Sequence, residues 1–72
     1  MMRIWLQEIR KKNNKSQNDI AKEVGISRVT YTSYELGSRN PSVEVAKRIG
    51  KELGFKWTLF FETKCNEKKH VT

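Results

Sequence analysis

The sequence predicts a small all-α domain, mainly because two closely spaced helices have clear start and stop signals. Ser16 has the side chain of a helix N-cap, and Asp19 can bond back to it as the second member of a capping box. Gly25 can adopt the left-handed conformation that ends this first helix. Ser27 and Gly37 bound a second helix in the same way. We therefore expect two short helices joined by a three-residue turn that contains glycine.

The two helices also share a consistent apolar side. Ile26 and Tyr31 occupy the two positions of a hydrophobic staple at the start of the second helix. The residues that can be buried together are Ile20, Val24, Ile26, Tyr31 and Tyr34. This arrangement predicts a helix-turn-helix, a motif whose second helix can lie in the DNA major groove.

Two further helices are expected to flank this unit. Residues 3–12 carry Leu6 and Ile9 at helical spacing and end in three basic residues, which suits a helix C-terminus. The stretch 38–42 contains an Asn-Pro pair, which favours a loop, and ends in a serine that can cap the next helix. Residues 43–53 predict another amphipathic helix. Its expected buried face consists of Val43, Ala46, Ile49 and Leu53, with Val45 beside it.

The C-terminal part of the chain has weaker signals. Residues 55–62, FKWTLFFE, form the most apolar segment and fit either a short helix or a strand, because periodicity cannot decide over so few residues. Residues 63–72 have no apolar period, so we expect a folded domain over residues 1–62 followed by a flexible basic tail. Cys65 and His70 are too few to form a structural zinc site, which generally needs four protein ligands.

The composition is strongly basic. The 72 residues include 15 Lys and Arg against 8 Asp and Glu, which gives a formal net charge of +7. This charge favours a polyanionic partner, either nucleic acid or an anionic membrane surface, although it would also keep a small protein soluble. The sequence contains no apolar run of the roughly 20 residues that span a bilayer and no signal-peptide core at its start. One cysteine cannot form a disulfide framework within the chain, so we expect a cytoplasmic protein.

The residue patterns of enzymes are not visible in this sequence. It has no glycine-rich phosphate loop, no paired-carboxylate site and no pairing of a nucleophile with a base. We therefore expect neither an enzymatic activity nor a bound cofactor or metal.

A set of residues in a fixed order resembles a known family. The set comprises Ser16-Gln17, Ala21, Gly25-Ile26-Ser27, Tyr34-Glu35, Gly37 and Asn40-Pro41-Ser42. From about Leu6 to Phe61 the chain resembles the lambda-repressor/Cro-like helix-turn-helix (XRE) family. The resemblance implies a compact five-helix DNA-binding domain in which segment 55–62 is helical. It also implies a partly buried salt bridge between Arg10 and Glu35, whereas two plain surface charges would contribute little stability.

The resemblance further implies which residues contact DNA. Gln17, at the start of the first motif helix, is expected to bind a phosphate. Arg28 can bond O6 and N7 of guanine, while Val29 and the Thr32 methyl group can contact a thymine methyl. The alternative for the hydroxyl residues of the second helix is an ordinary polar surface. The expected DNA-binding residues are Ser16, Gln17, Ser27, Arg28, Val29, Thr30, Thr32, Ser33, Arg39 and Asn40.

Several residues depart from the family pattern, among them Lys15, which stands where an apolar residue is usual. Leu36 stands where the family often has Asn, so one side-chain phosphate contact is expected to be missing. Tyr31 stands where Ile or Val is usual, and its hydroxyl should need water or a protein partner. Leu59 falls where a polar side chain is usual, which makes it our candidate for a dimer contact, although a place in the core would suit a small domain equally well.

These observations predict a sequence-specific regulator of transcription that binds double-stranded DNA. The simplest form is a repressor that acts as a homodimer on a palindromic operator. The alternative from another class is an antitoxin-type interaction protein that binds a partner toxin and regulates its own promoter. A basic peptide that binds membranes or RNA would explain the charge, but it would not explain the ordered helix caps and turns.

Overall fold

A computed structural model describes residues 2–62, so the predicted tail, Cys65 and His70 lie outside the described residues. Within that part of the chain the all-α prediction is confirmed. The four α-helices and one 3-10 helix are α1 Ile4–Lys12, α2 Gln17–Val24, α3 Arg28–Leu36, α4 Val43–Leu53 and the 3-10 helix Trp57–Phe61. The fifth predicted helix is therefore a short 3-10 turn rather than an α-helix.

Serine side chains begin three of the four α-helices in residues 2–62. In α2, Ser16 Oγ accepts a hydrogen bond from the Asp19 amide at 3.0 Å, and Asp19 Oδ2 accepts one from the Ser16 amide at 3.0 Å. The predicted capping box is thus present. Ser27 caps α3 and Ser42 caps α4 through the same local contact to an amide three residues later.

The helices surround a single apolar core. α2 packs against both α3 and α4, α1 packs against α3, and the 3-10 helix covers α4. The buried apolar residues are Leu6, Ile20, Ala21, Val24, Tyr31, Tyr34, Ala46, Ile49, Leu53 and Phe60. The prediction for Val43 is wrong, because its side chain is 49% exposed in the first turn of α4, where the neighbouring Ser42 and Glu44 are exposed as well. Val45 packs against the core in its place.

Aromatic rings close the core at the C-terminal end of the described chain. The Trp5 ring meets the rings of Phe55 and Phe60 edge-on, with centroid distances of 5.3 Å in both cases. The rings of Trp57 and Phe61 also meet edge-on, with a centroid distance of 6.0 Å. Edge-to-face pairs of this kind add roughly 0.5–1.5 kcal/mol beyond the burial of apolar area. The N-terminal helix is therefore held by the last segment of the domain.

Gly50 allows that last segment to approach α4 closely. A Cβ atom at Gly50 would lie 2.7 Å from the Phe55 carbonyl oxygen and 3.2 Å from the Trp57 amide nitrogen. Both of these atoms belong to the backbone, so they cannot rotate away as a flexible side chain could. The glycine in the interior of α4 thus has a packing reason that outweighs its poor helix propensity.

We predict that Gly50→Ala destabilises the domain by about 1–3 kcal/mol, which is the usual cost of overpacking a tight site. Helix propensity alone would predict the opposite sign, a gain of about 1 kcal/mol. Urea denaturation followed by circular dichroism measures the difference. Lys51→Ala, an exposed change in the same helix, should alter stability by less than about 0.5 kcal/mol. Equal or greater stability of Gly50→Ala would show that the close contact is unimportant.

Candidate nucleic-acid interface

The outward side of α3, together with the start of α2, forms the candidate interface. Val29 is 78% exposed and Leu36 is 50% exposed on α3. Arg28 is exposed as well, while Thr32 and Ser33 are half-buried. A shallow open depression is lined by Gln17, Arg28, Val29, Thr32, Ser33 and Leu36. We refer to these six residues as the α3 depression, and five of them are predicted DNA-binding residues.

The two N-cap serines among the predicted contacts have structural roles. Ser16 Oγ is occupied by the α2 capping box, and Ser27 Oγ accepts from the Thr30 amide at 3.1 Å. Ser27 also donates to Thr30 Oγ1 at 2.8 Å. Since the first amides of each helix lack helical partners, the starts of α2 and α3 still offer N–H groups and a positive dipole end to an anion.

A buried polar network connects the core to the α3 depression. Arg10 Nε donates to Glu35 Oε2 at 2.6 Å, with the Arg10 side chain 12% exposed and that of Glu35 1% exposed. Gln17 Nε2 donates to Glu35 Oε1 at 2.8 Å. Thr32 Oγ1 in turn donates to Gln17 Oε1 at 3.2 Å. The Arg10–Glu35 pair was expected from the family resemblance, but the two further bonds were not.

This network changes the expected role of Gln17. The carboxylate of Glu35 selects the amide nitrogen as the end that points inward, which leaves the amide oxygen for Thr32. One of the two hydrogens on Nε2 is used by Glu35, and the other makes no hydrogen bond within residues 2–62. Gln17 therefore positions α2 against α3 in addition to any contact that it makes with DNA.

The Glu35 carboxyl group is ionised in a buried place. Burial by itself would raise its pKa, but hydrogen bonds from Arg10 and Gln17 and the positive charge of Arg10 outweigh that effect, so the pKa of Glu35 is lowered. The hydrogen bond to Glu35 likewise raises the pKa of Arg10. The salt bridge is therefore fully charged at neutral pH.

Tyr31 lies next to this pair and is completely buried. Burial raises the pKa of its hydroxyl, and the neighbouring Glu35 carboxylate raises it further. The sequence led us to expect water or a protein partner for this hydroxyl, and the charged Arg10–Glu35 pair lies beside it.

Arg3 holds the loop after α3 through hydrogen bonds, a role that the sequence did not predict. Its Nη1 donates to the carbonyl oxygens of Tyr34 at 2.6 Å and Arg39 at 3.1 Å, and its Nη2 donates to Asn40 Oδ1. The Arg3 amide also donates to the Glu35 carbonyl oxygen at 2.7 Å. Because these partners are 31 or more residues away in the chain, no local spacing could have signalled the contacts. Arg39 and Asn40 remain exposed in this loop.

Leu59 lies apart from the α3 depression, in the 3-10 helix. Its side chain is half-buried, and it is absent from the core cluster that includes Phe60 and the partly buried Trp57 and Phe61.

In residues 2–62 no group of three His, Cys, Asp or Glu side chains is placed to hold a metal. In the same residues no helix is long and apolar enough to cross a membrane.

The comparisons with known proteins agree with this geometry. Residues 6–60, which span α1 to the 3-10 helix, match the family model described as helix-turn-helix. The chain belongs to the XRE-type helix-turn-helix family. Members of this family are DNA-binding regulators of transcription, so the chain is a DNA-binding regulator by family. No solved structure gives a significant match.

Several named relatives belong to Bacillus subtilis strain 168. The chain is 51% identical to the HTH-type transcriptional regulator YqaF over 70 residues, which cover 97% of this chain and 92% of YqaF. It is 35% identical to the HTH-type regulator YqaE over 88% of this chain and 54% of YqaE. It is 37% identical to the HTH-type regulator AnsR over 86% of this chain and 47% of AnsR. The family domain thus accounts for about half of the two longer relatives.

We predict that the buried carboxylate makes the stability of the domain depend on pH. Because the pKa of Glu35 is below its ordinary value of 4.5 in the folded state, its stabilising effect is complete above that value and is lost as the pH falls below it. Glu35→Gln should lower the free energy of unfolding by about 3 kcal/mol at pH 7. On acidification its free energy of unfolding should fall by less than that of the wild type. Urea denaturation at pH 7, 4 and 3 measures both effects.

Glu44→Gln is the matched control. Glu44 is 75% exposed and pairs with Arg48 at 3.0 Å on the surface of α4, so this variant should keep the pH dependence of the wild type. If Glu35→Gln also keeps that dependence, the buried carboxylate is not the group responsible.

Proposed function

We propose that the protein is a transcriptional repressor that binds a palindromic operator in the cytoplasm as a homodimer. The observation that carries the proposal is the bond from Thr32 to Gln17, which joins the outer side of α3 to the start of α2. A recognition helix and a helix that crosses the DNA backbone need this fixed relation if one is to contact bases while the other contacts phosphates.

The proposed phosphate contacts lie on both sides of α3. At the start of α2, Gln17 has one amide hydrogen free and adjoins the helix dipole. In the loop after α3, the oxygen of the Asn40 side chain is bonded to Arg3, so its amide hydrogens are the groups available to DNA. Exposed Arg39 adds a positive charge in the same loop. These contacts would set the position of α3 in the groove without selecting a sequence.

The proposed base contact uses Arg28. It is the first residue of α3, where a long side chain can reach the floor of the groove, and it is exposed beside Val29. A guanidinium can bond O6 and N7 of one guanine at the same time. Arg28 would therefore select guanine at one position of each half-site.

A homodimer is proposed because one short recognition helix contacts too few base pairs for useful specificity. Leu59 is the proposed contact residue, since it is a half-buried apolar side chain outside the core cluster. The end of α4 precedes this segment and packs against it, so the two would contribute to the same surface. Two copies joined there would bind two half-sites related by the two-fold axis of the dimer.

The first test is the salt dependence of binding to duplex DNA. Each neutralised phosphate contributes about −0.9 to the slope of log K against log salt, so a dimer with two or three such contacts in each subunit should give about −4 to −5. Fluorescence anisotropy titrations at several salt concentrations measure the slope. A slope near zero, or no duplex binding at low salt, would refute the proposed function.

The second test separates the two kinds of DNA contact. Arg28→Ala should weaken the binding free energy for the preferred sequence by about 1–3 kcal/mol. It should also relax discrimination between bases at one symmetric base pair. Gln17→Ala should weaken binding to every sequence alike, once circular dichroism has established that it is folded. Lys12→Ala removes one positive charge from an exposed position at the end of α1, away from the proposed contacts, and serves as the charge control. Unchanged base preference in Arg28→Ala would contradict its assignment.

The third test concerns the dimer. We expect Leu59→Glu to weaken self-association in analytical ultracentrifugation while the helical circular dichroism spectrum is retained, because a charge cannot be buried cheaply in an apolar contact. Val43→Glu is the control, since Val43 is an exposed apolar residue at the opposite end of α4 from the 3-10 helix. Equal dimerisation of Leu59→Glu and the wild type, or a wild type that is monomeric even on its operator, would show that the proposed interface is wrong.

A further inference from the structure

Three hydroxyl groups of the candidate interface, on Ser27, Thr32 and Ser33, donate their hydrogens to other groups of the protein. Thr32 Oγ1 donates to Gln17, and Ser33 Oγ donates to the Thr30 carbonyl oxygen at 2.5 Å. Ser27 Oγ donates to Thr30 Oγ1. Guanine O6, thymine O4 and the purine N7 atoms all need a donor from the protein. The hydroxyls of Ser27, Thr32 and Ser33 therefore do not supply that donor while these bonds persist. Arg28 is the charged donor of the α3 depression, beside the second amide hydrogen of Gln17.

The part of the α3 depression that is left to contact bases is mostly apolar. Val29 and Leu36 are the most exposed apolar side chains of α3. Because the Thr32 hydroxyl is held by Gln17, the methyl group is the part of that side chain left to contact a ligand. Positions 29, 32 and 36 follow the spacing of one helix face. At a rise of 1.5 Å per residue the stripe is about 10 Å long, which corresponds to about three base-pair steps of 3.4 Å.

From this surface we infer that the operator half-site presents thymine methyl groups to Val29, Thr32 and Leu36, next to the guanine bound by Arg28. The inference rests on the proposed function and specifies its DNA target. The thymine 5-methyl is the apolar group that the major groove displays, so it is the chemical partner that an apolar stripe can select. Leu36 thus has a base-contacting role, in place of the phosphate contact that an Asn at this position could make.

The test replaces thymine by uracil in the preferred operator. A duplex selected from random sequence is resynthesised with deoxyuridine at one symmetric thymine pair at a time, which keeps base pairing and removes the methyl group alone. Loss of one buried methyl should weaken binding about fourfold, and loss of the symmetric pair about fifteenfold. At least one thymine pair within three base pairs of the selected guanine should give this loss.

Variants link the effect to the proposed residues. Val29→Ser combined with Leu36→Asn should bring the ratio of thymine to uracil affinity close to one at the thymine pairs next to these two residues, while the contact of Thr32 and the guanine preference are retained. Val43→Ser removes another exposed valine, which lies on α4 outside the α3 depression, and should keep the wild-type ratio. Circular dichroism establishes that each variant is folded, which is expected because all three positions are exposed.

The outcomes separate this inference from the proposed function. If the protein binds the selected duplex and prefers guanine but binds the thymine and uracil forms equally, the methyl-contacting stripe is refuted and the repressor proposal stands. A selected half-site without thymine near the guanine would refute it in the same way. If no duplex is bound even at low salt, the proposed function fails and the inference fails with it.

Discussion

The buried pair of Arg10 and Glu35 is the interaction on which the rest of this structure depends. It joins α1 to the end of α3, and through Gln17 it also fixes the start of α2. Arg10 Nη1 donates to the Lys15 carbonyl oxygen at 2.9 Å, so the same side chain holds the turn between α1 and α2. One ion pair thus sets the relative positions of three helices. Removal of either partner would leave a buried charge without compensation, which is why the pair constrains the fold so strongly.

The geometry of the candidate DNA-binding surface depends on this pair. The chain of hydrogen bonds from Glu35 through Gln17 to Thr32 ends in the α3 depression, so the rotamers of two interface residues are determined from inside the core. On the other side, Arg3 holds the loop that contains Arg39 and Asn40. A binding surface supported in this way loses little side-chain entropy when a ligand arrives, and such preorganisation favours affinity.

The small core explains why these polar supports matter. A domain of this size buries a limited amount of apolar surface, so each helix cap and each tight contact is a large part of the net stability. The Gly50 contact brings the 3-10 helix onto α4, and the rings of Trp5, Phe55 and Phe60 then fasten α1 to the same end.

The sequence by itself determined the helices and their caps. The tertiary structure determined which distant side chains contact one another and which are exposed. The caps at Ser16, Ser27 and Ser42 and the left-handed turn at Gly25 involve residues within about four positions of one another, so spacing alone predicted the helices. The family resemblance supplied the Arg10–Glu35 pair and the outline of the α3 depression. The sequence did not predict the internal bonds of Gln17, because they join residues 15 and 18 positions apart. The loop contacts of Arg3 and the exposure of Val43 likewise depend on how the helices pack, which no local pattern encodes.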